Sequence, residues 1–79
     1  MLISIVPVTV REFNGSRRVL TSLEGAARFL MQGWPGERDR PTYAVALKAC
    51  LAALEGAGAV EEARDAIVEA ASAAGILVD

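Results

Sequence analysis

The sequence predicts an α+β fold in which an N-terminal β-hairpin is followed by three helices. Three observations lead to this prediction: apolar residues alternate near the start of the chain, an Asn-Gly-Ser turn signal follows, and helical spacing dominates thereafter. The apolar tail at 76–79 is a candidate third strand, which would give the order ββαααβ. A length of 79 residues suits a single small domain over residues 1–79.

The hairpin is predicted from the opening segment MLISIVPVTV and the turn NGS. Three valines within 6–10 alternate with other residues, which is the period of a strand with one buried face. Pro7 has no amide hydrogen, so this strand is expected at the edge of a sheet. Asn and Gly tolerate the positive φ of tight hairpins, so RRVL at 17–20 is the expected return strand. Phe13 is expected to fold over one face of the hairpin.

The first helix is predicted within TSLEGAARFLMQ. Thr21 and Glu24 have the spacing of a capping box, and Ser22 is the competing N-cap. The helix must end by residues 33–34, because Pro35 disfavours α geometry in the residue before it.

The second predicted helix, PTYAVALKACLAALE, is the most apolar element. Lys48 is its only charge between Tyr43 and Leu54, and small residues cover much of its surface. Tyr43, Leu47, Leu51 and Leu54 mark one face of this helix. A helix that is apolar nearly all round is either central to its fold or meets a partner.

The segment QGWPGERDRPTY joins these two helices and contains Trp34. This side chain follows the apolar stripe of the first helix, so it is predicted to close the open end of the core, with its indole N–H reaching water or a carbonyl. Tryptophan at a surface joint is also a common binding anchor, so Trp34, Arg38, Tyr43 and Leu47 are candidate interaction residues. Asp39 is the predicted N-cap of the second helix, with a proline in the first turn.

The third helix is predicted in VEEARDAIVEAASAAG, with acidic residues in its first turn, where negative charge suits the helix dipole. Glu62, Asp65 and Glu69 share one face, as a metal or acid–base cluster would require. A solvated outer face explains them with fewer assumptions. Arg64 is expected to serve as their ion-pair partner.

The residue types present exclude several kinds of chemistry. The chain has no histidine, which removes the commonest general base and metal ligand and rules out Ser–His–Asp and Cys–His arrangements. Cys50 lies mid-helix among apolar residues and is expected to be a buried, unreactive thiol. The glycines do not have the spacing of a phosphate-binding loop. We therefore expect no enzymatic activity, no cofactor and no metal site.

Five segments of the chain together resemble a family of small bacterial proteins catalogued as domain of unknown function 982. These are VPVTV in the first strand, LEGAARFL in the first helix, WP at 34–35, YAVALKACLAALEG at 43–56 and EEARDAIVEAASAAGILV at 61–78. The resemblance covers nearly the whole chain. It implies a compact α+β domain, and it implies no catalytic residue, ligand or partner.

The leading functional expectation is a non-enzymatic protein-interaction or regulatory module. A chain this short is not expected to enclose the apolar second helix completely, so we expect a homodimer or an unknown protein partner. No apolar run approaches the roughly 20 residues that span a bilayer, and no export signal is recognised. With one cysteine, the expected location is the cytoplasm and no membrane partner is expected.

Two alternatives stay open. The first is weak binding of nucleic acid or an acidic partner through basic residues near the N-terminus (Arg11, Arg17, Arg18 and Arg28). A net charge of −2 makes nucleic acid the less favoured of these partners. The alternative requires the four arginines to converge on one surface. The second alternative is a small enzyme or redox protein that uses Cys50.

Overall fold

In the computed structural model, which describes residues 2–78, two antiparallel strands form the predicted hairpin. They are β1 (Ser4–Arg11) and β2 (Arg17–Ser22). The turn between them is held by the Ser16 amide, which donates to Asn14 Oδ1 at 3.0 Å. Gly15 has a φ of +88°, which a residue without Cβ adopts easily.

β1 contains an irregularity that shifts its buried face. Val8 lies opposite Leu20 but Ser4 lies opposite Ser22, so four residue steps on β1 match two on β2. Pro7 lies in this segment and has no N–H to donate to the ladder. As a result Ile5 is buried in place of the predicted Val6, whereas the other two valines of the strand are buried as predicted.

The first helix, α1 (Leu23–Arg28), begins at Ser22. Ser22 Oγ accepts a hydrogen bond from the Gly25 amide at 3.1 Å, so the competing cap is the one that forms. Glu24 does not complete a capping box; its carboxylate accepts from the Ile3 amide at 2.9 Å and ties the start of the chain to the helix.

A π-helical turn, Phe29–Gly33, continues α1 and ends at Gly33, within the limit predicted from Pro35. Trp34 is extended, with a ψ of 118°, as expected for a residue before proline. The wider turn buries both Phe29 and Leu30.

The second helix, α2 (Pro41–Leu54), has Pro41 in its first turn. Arg40 occupies its N-cap position, and no side chain caps the helix. The prediction of Asp39 as N-cap is therefore wrong. The Arg40 guanidinium instead donates to the Ala73 carbonyl at 3.2 Å, at the carboxyl end of the third helix, where positive charge suits the helix dipole.

The third helix, α3 (Val60–Ala73), packs along α2 and also contacts β1. Arg64 on this helix is not in an ion pair among residues 2–78. Its Nε donates to the Val6 carbonyl at 3.0 Å, within the irregular segment of β1. Gly75 ends the helical region with a φ of +74°.

The C-terminal tail forms a single bridge instead of the candidate third strand. Val10 bridges Leu77, the Arg11 amide donates to the Ile76 carbonyl at 2.8 Å, and the Val78 amide donates to Thr9 at 3.0 Å. The helix and its glycine turn leave only residues 76–78 of the described chain to pair. Asp79, the last residue of the predicted tail, lies outside the described residues.

The buried hydrophobic residues form one cluster between the hairpin and the helices. Seven of its 18 members are alanines, all on the three helices. Small side chains allow helix backbones to approach closely, and Tyr43 is the one large side chain that α2 adds to this cluster. No helix within residues 2–78 is long and apolar enough to cross a membrane.

Candidate functional site

Trp34 and Tyr43 belong to the core. Trp34 is 8% exposed and packs edge-on to Phe29, with ring centroids 5.7 Å apart, and against Tyr43 at 5.5 Å. Tyr43 Oη donates to the Leu30 carbonyl at 2.6 Å. These contacts hold the joint between the first two helices against the rest of the fold, as predicted for Trp34.

The indole N–H of Trp34 does not make the predicted hydrogen bond. Trp34 Nε1 is buried and has no partner among residues 2–78. Gly36 lies directly against it, since a Cβ at that position would be 2.9 Å from the nitrogen. The close approach of the Gly36 backbone therefore seals the indole inside the core.

The four N-terminal arginines do not converge on one surface. Arg11 and Arg17 lie opposite each other on the exposed outer face of the hairpin. Arg18 lies on the inner face, 3.3 Å from a Glu12 oxygen and 5.8 Å above the Phe29 ring. Arg28 is exposed at the end of α1. The condition set for binding through all four groups is therefore not met.

Arg11 and Arg17 face each other as like charges at close range. The Arg11 amide points away from β2, towards the tail, so the two residues form a non-hydrogen-bonded pair. In such pairs the Cα atoms lie about 4.5 Å apart and the side chains approach closely. Neither guanidinium is in an ion pair among residues 2–78, and the same is true of exposed Arg38. The outer face of the hairpin therefore carries two arginines, Arg11 and Arg17, without an ion-pair partner among residues 2–78.

Phe13 stands at the end of this hairpin with 90% of its surface exposed. The expectation that it folds over the hairpin is wrong, because it lies in the turn and has no opposing strand residue to pack on. Residues 11–17 are called the hairpin tip below. The tip presents an aromatic ring between two arginines. This exposure could have been predicted from the sequence, because Phe13 directly precedes the Asn-Gly turn.

Much of the surface of α2 is apolar, and its buried face is not the one that the leucines mark. Small groups fill most of that face beside Tyr43, and Leu47 and Leu54 are only half-buried. Leu51 is 41% exposed and Val45 is 59% exposed. Apart from Tyr43, the residues that α2 buries completely are small, while Val45 and Leu51 are exposed.

A groove of about 450 Å³ runs between α2 and α3. Its apolar part is formed by Pro41, Val45 and Ala66, with Thr42 beside them. One wall carries the carboxylates of Glu62, Asp65 and Glu69. Within residues 2–78 no arginine or lysine nitrogen lies within 4.0 Å of these carboxylates. We call this feature the acidic groove.

A second groove of about 250 Å³ lies between α1 and α2. Met31 and Leu51 are exposed in it, Leu54 is half-buried, and Glu24 and Arg28 line it. Apolar side chains therefore border α2 on both sides.

Cys50 is completely buried on the inner face of α2. Desolvation raises the pKa of its thiol from 9.0 to about 11, so the thiol stays protonated at neutral pH. A protonated, enclosed thiol is a poor nucleophile. In the described part of the chain no group of three or more carboxylate or cysteine side chains is placed to hold a metal ion.

Comparison with known proteins gives one match. A family model described as a protein of unknown function, DUF982, matches residues 6–78. No curated protein and no solved structure matches the chain. The matched region runs from the irregular segment of β1 to the C-terminal bridge, so it includes the acidic groove and the hairpin tip.

Proposed function

The chain belongs to the DUF982 family of proteins of unknown function, and we propose that it is a non-enzymatic interaction module that self-associates through the exposed apolar surface of α2. A homodimer is the simplest closed assembly of this kind. The observation that carries the proposal is the exposure of Val45 and Leu51 on a helix whose buried face is built mainly of small residues.

The amount of exposed surface does not by itself favour association. The described chain exposes 4853 Å², close to the roughly 4,600 Å² that the scaling with mass gives for a monomer of this size. The support therefore comes from which groups are exposed. Large apolar side chains are exposed on both sides of α2, Val45 beside α3 and Leu51 with Met31 beside α1, and exposed apolar groups beside a groove are common at interaction surfaces.

The chemistry of the side chains supports a role without catalysis. Cys50 is protonated and enclosed, the Tyr43 hydroxyl is engaged by a backbone carbonyl, and the chain has no histidine. We also propose a cytoplasmic location, because a single free thiol is usual for proteins kept in a reducing compartment.

Binding of nucleic acid or an acidic partner through the N-terminal arginines is the weaker candidate. Arg18 is engaged by Glu12 and Phe29, and Arg28 lies on α1, so only Arg11 and Arg17 share a face. Two cations on a chain of net charge −2 provide little of the phosphate neutralisation on which non-specific nucleic-acid binding depends.

The proposal is tested by light scattering on the purified chain at micromolar concentration. We expect a mass above that of one chain for the natural protein, and a monomer for the double variant Val45→Gln, Leu51→Gln. Glutamine is a good helix former, so the fold is expected to survive. Leu2→Gln, at a position 68% exposed outside the helices, is the matched control and should still associate. A natural protein that is monomeric throughout contradicts the proposal.

A further inference from the structure

The hairpin tip and the acidic groove are complementary in both charge and polarity. Building on the proposed self-association, we propose that the hairpin tip of one copy docks into the acidic groove of a second copy. Phe13 then covers the apolar part of the groove, and Arg11 and Arg17 face its carboxylate wall.

The tip is an ordered projection with an aromatic end. The Glu12 amide donates to Ser16 at 2.7 Å and the Gly15 amide donates to Glu12 at 2.9 Å, so the turn is closed by its own backbone. Because the turn is already formed, docking costs little additional conformational entropy. An almost fully exposed ring on such a turn is the type of side chain that anchors interfaces.

The groove has the size and lining to accept such a ring. The acidic groove is an open depression of about 450 Å³, larger than the roughly 150 Å³ of an enclosed apolar cavity that holds benzene. Val45 and Ala66, from the two helices, provide its apolar surface. The exposed apolar area of Val45 and that of Phe13 would leave water in the same contact.

The charges give the contact its direction. Arg11 and Arg17 repel each other as an opposed pair on the sheet. Glu62, Asp65 and Glu69 repel one another along one face of α3. Neither group is neutralised within its own chain over residues 2–78. Docking relieves both repulsions, and arginine binds carboxylates with two parallel hydrogen bonds.

A second copy is the occupant because this chain supplies both surfaces. A basic, aromatic segment of another protein could satisfy the same groove, so the experiment must separate self-docking from capture of another partner. Charge exchange between two variants of this chain does so, since it requires each surface to recognise the other.

The test uses two variants with exchanged charge. The first is Arg11→Glu, Arg17→Glu, which replaces one like-charged pair by another and should therefore fold normally. The second is Glu62→Lys, Asp65→Lys, Glu69→Lys, at positions that are all exposed. Each variant alone should be monomeric, because tip and groove then carry the same sign. A mixture of equal amounts should associate again, and increasing salt should weaken it.

Phe13→Ser provides an independent measurement. We expect a dissociation constant raised about tenfold or more. At concentrations low enough for both proteins to be monomeric, the melting temperature should be unchanged, because the ring is almost fully exposed. Leu2→Ser is the control for loss of an exposed apolar group.

The outcomes separate this proposal from the one on which it rests. A monomeric natural protein overturns both. A natural protein that associates, with charge-exchanged variants that associate equally well or whose mixture does not, leaves self-association through α2 standing and overturns tip docking. Restored association in the mixture, together with a weaker Phe13→Ser complex, supports it and excludes a foreign segment as the required occupant.

Discussion

Gly36 is the residue on which the enclosure of Trp34 depends. A Cβ at this position would lie 2.9 Å from Trp34 Nε1 and 3.2 Å from Ala74 Cβ. The ring and α3 are both fixed by packing, so neither can move aside without cost. This contact leaves the buried indole nitrogen without a hydrogen-bond partner among residues 2–78, a cost in stability that the packing of the ring must offset.

Gly36→Ala should lower the free energy of unfolding by about 1–3 kcal/mol, the usual cost of overpacking a core. Urea denaturation measures the change. Gly33→Ala is the control, because its Cβ would meet Phe29 at an ordinary 3.4 Å and should cost much less. Equal stability of the two variants would show that the joint at Gly36 is looser than described.

Cys50 should make stability depend on alkaline pH. The folded thiol has a pKa of about 11 against an ordinary 9.0, so the unfolded chain loses its proton first as pH rises. The protonated thiol therefore contributes fully to the free energy of unfolding below pH 9. This contribution is lost as the pH rises towards 11, which lowers the free energy of unfolding by about 2 kcal/mol. Denaturation at pH 8 and pH 11 measures it. Between pH 8 and pH 11, Cys50→Ala should lose less free energy of unfolding than the natural protein, by this amount. An identical pH dependence of the two proteins would argue that the thiol is exposed.

At the scale of elements, the start of α1 is determined by one hydroxyl. Ser22 Oγ caps the helix, whereas Thr21 is exposed. Ser22→Ala should cost about 1 kcal/mol in thermal or urea unfolding. Thr21→Ala should cost only a few tenths. A larger loss of stability from Thr21→Ala than from Ser22→Ala would show that Thr21 caps the helix, in the capping box predicted from its spacing with Glu24.

The sequence predicted the type and order of the elements because their signals are local. The Asn-Gly turn, the proline after Trp34 and the helical spacing all act within a few residues, and each is found in place. Asp39 does not cap α2 because the helix begins at Pro41, which puts Arg40 in the N-cap position, and the Arg40 guanidinium bonds to α3. That contact joins residues 33 positions apart, and no local pattern reports it.

The orientation of α2 could not be read from its own sequence. Three leucines mark one face of α2 in the sequence, yet the helix buries mainly small residues beside Tyr43. The choice depends on how closely α3 approaches, and α3 itself presents alanines. The acidic groove could not be predicted for the same reason. Val45 and Glu62 lie on different helices, and they form one groove only because α2 and α3 pack side by side.

At the scale of the molecule, opposite charges lie on different parts of the chain. The basic pair is on the hairpin and the uncompensated carboxylates are on α3. The net charge of −2 conceals this separation. This separation of charge is the basis on which we propose that the hairpin tip of one copy contacts the acidic groove of another.

The most direct test of self-association is sedimentation equilibrium of the natural chain over a range of micromolar concentrations. We expect an apparent mass that rises with concentration from 8.3 kDa towards twice that value. A folded protein that sediments as a single chain at every concentration would contradict it.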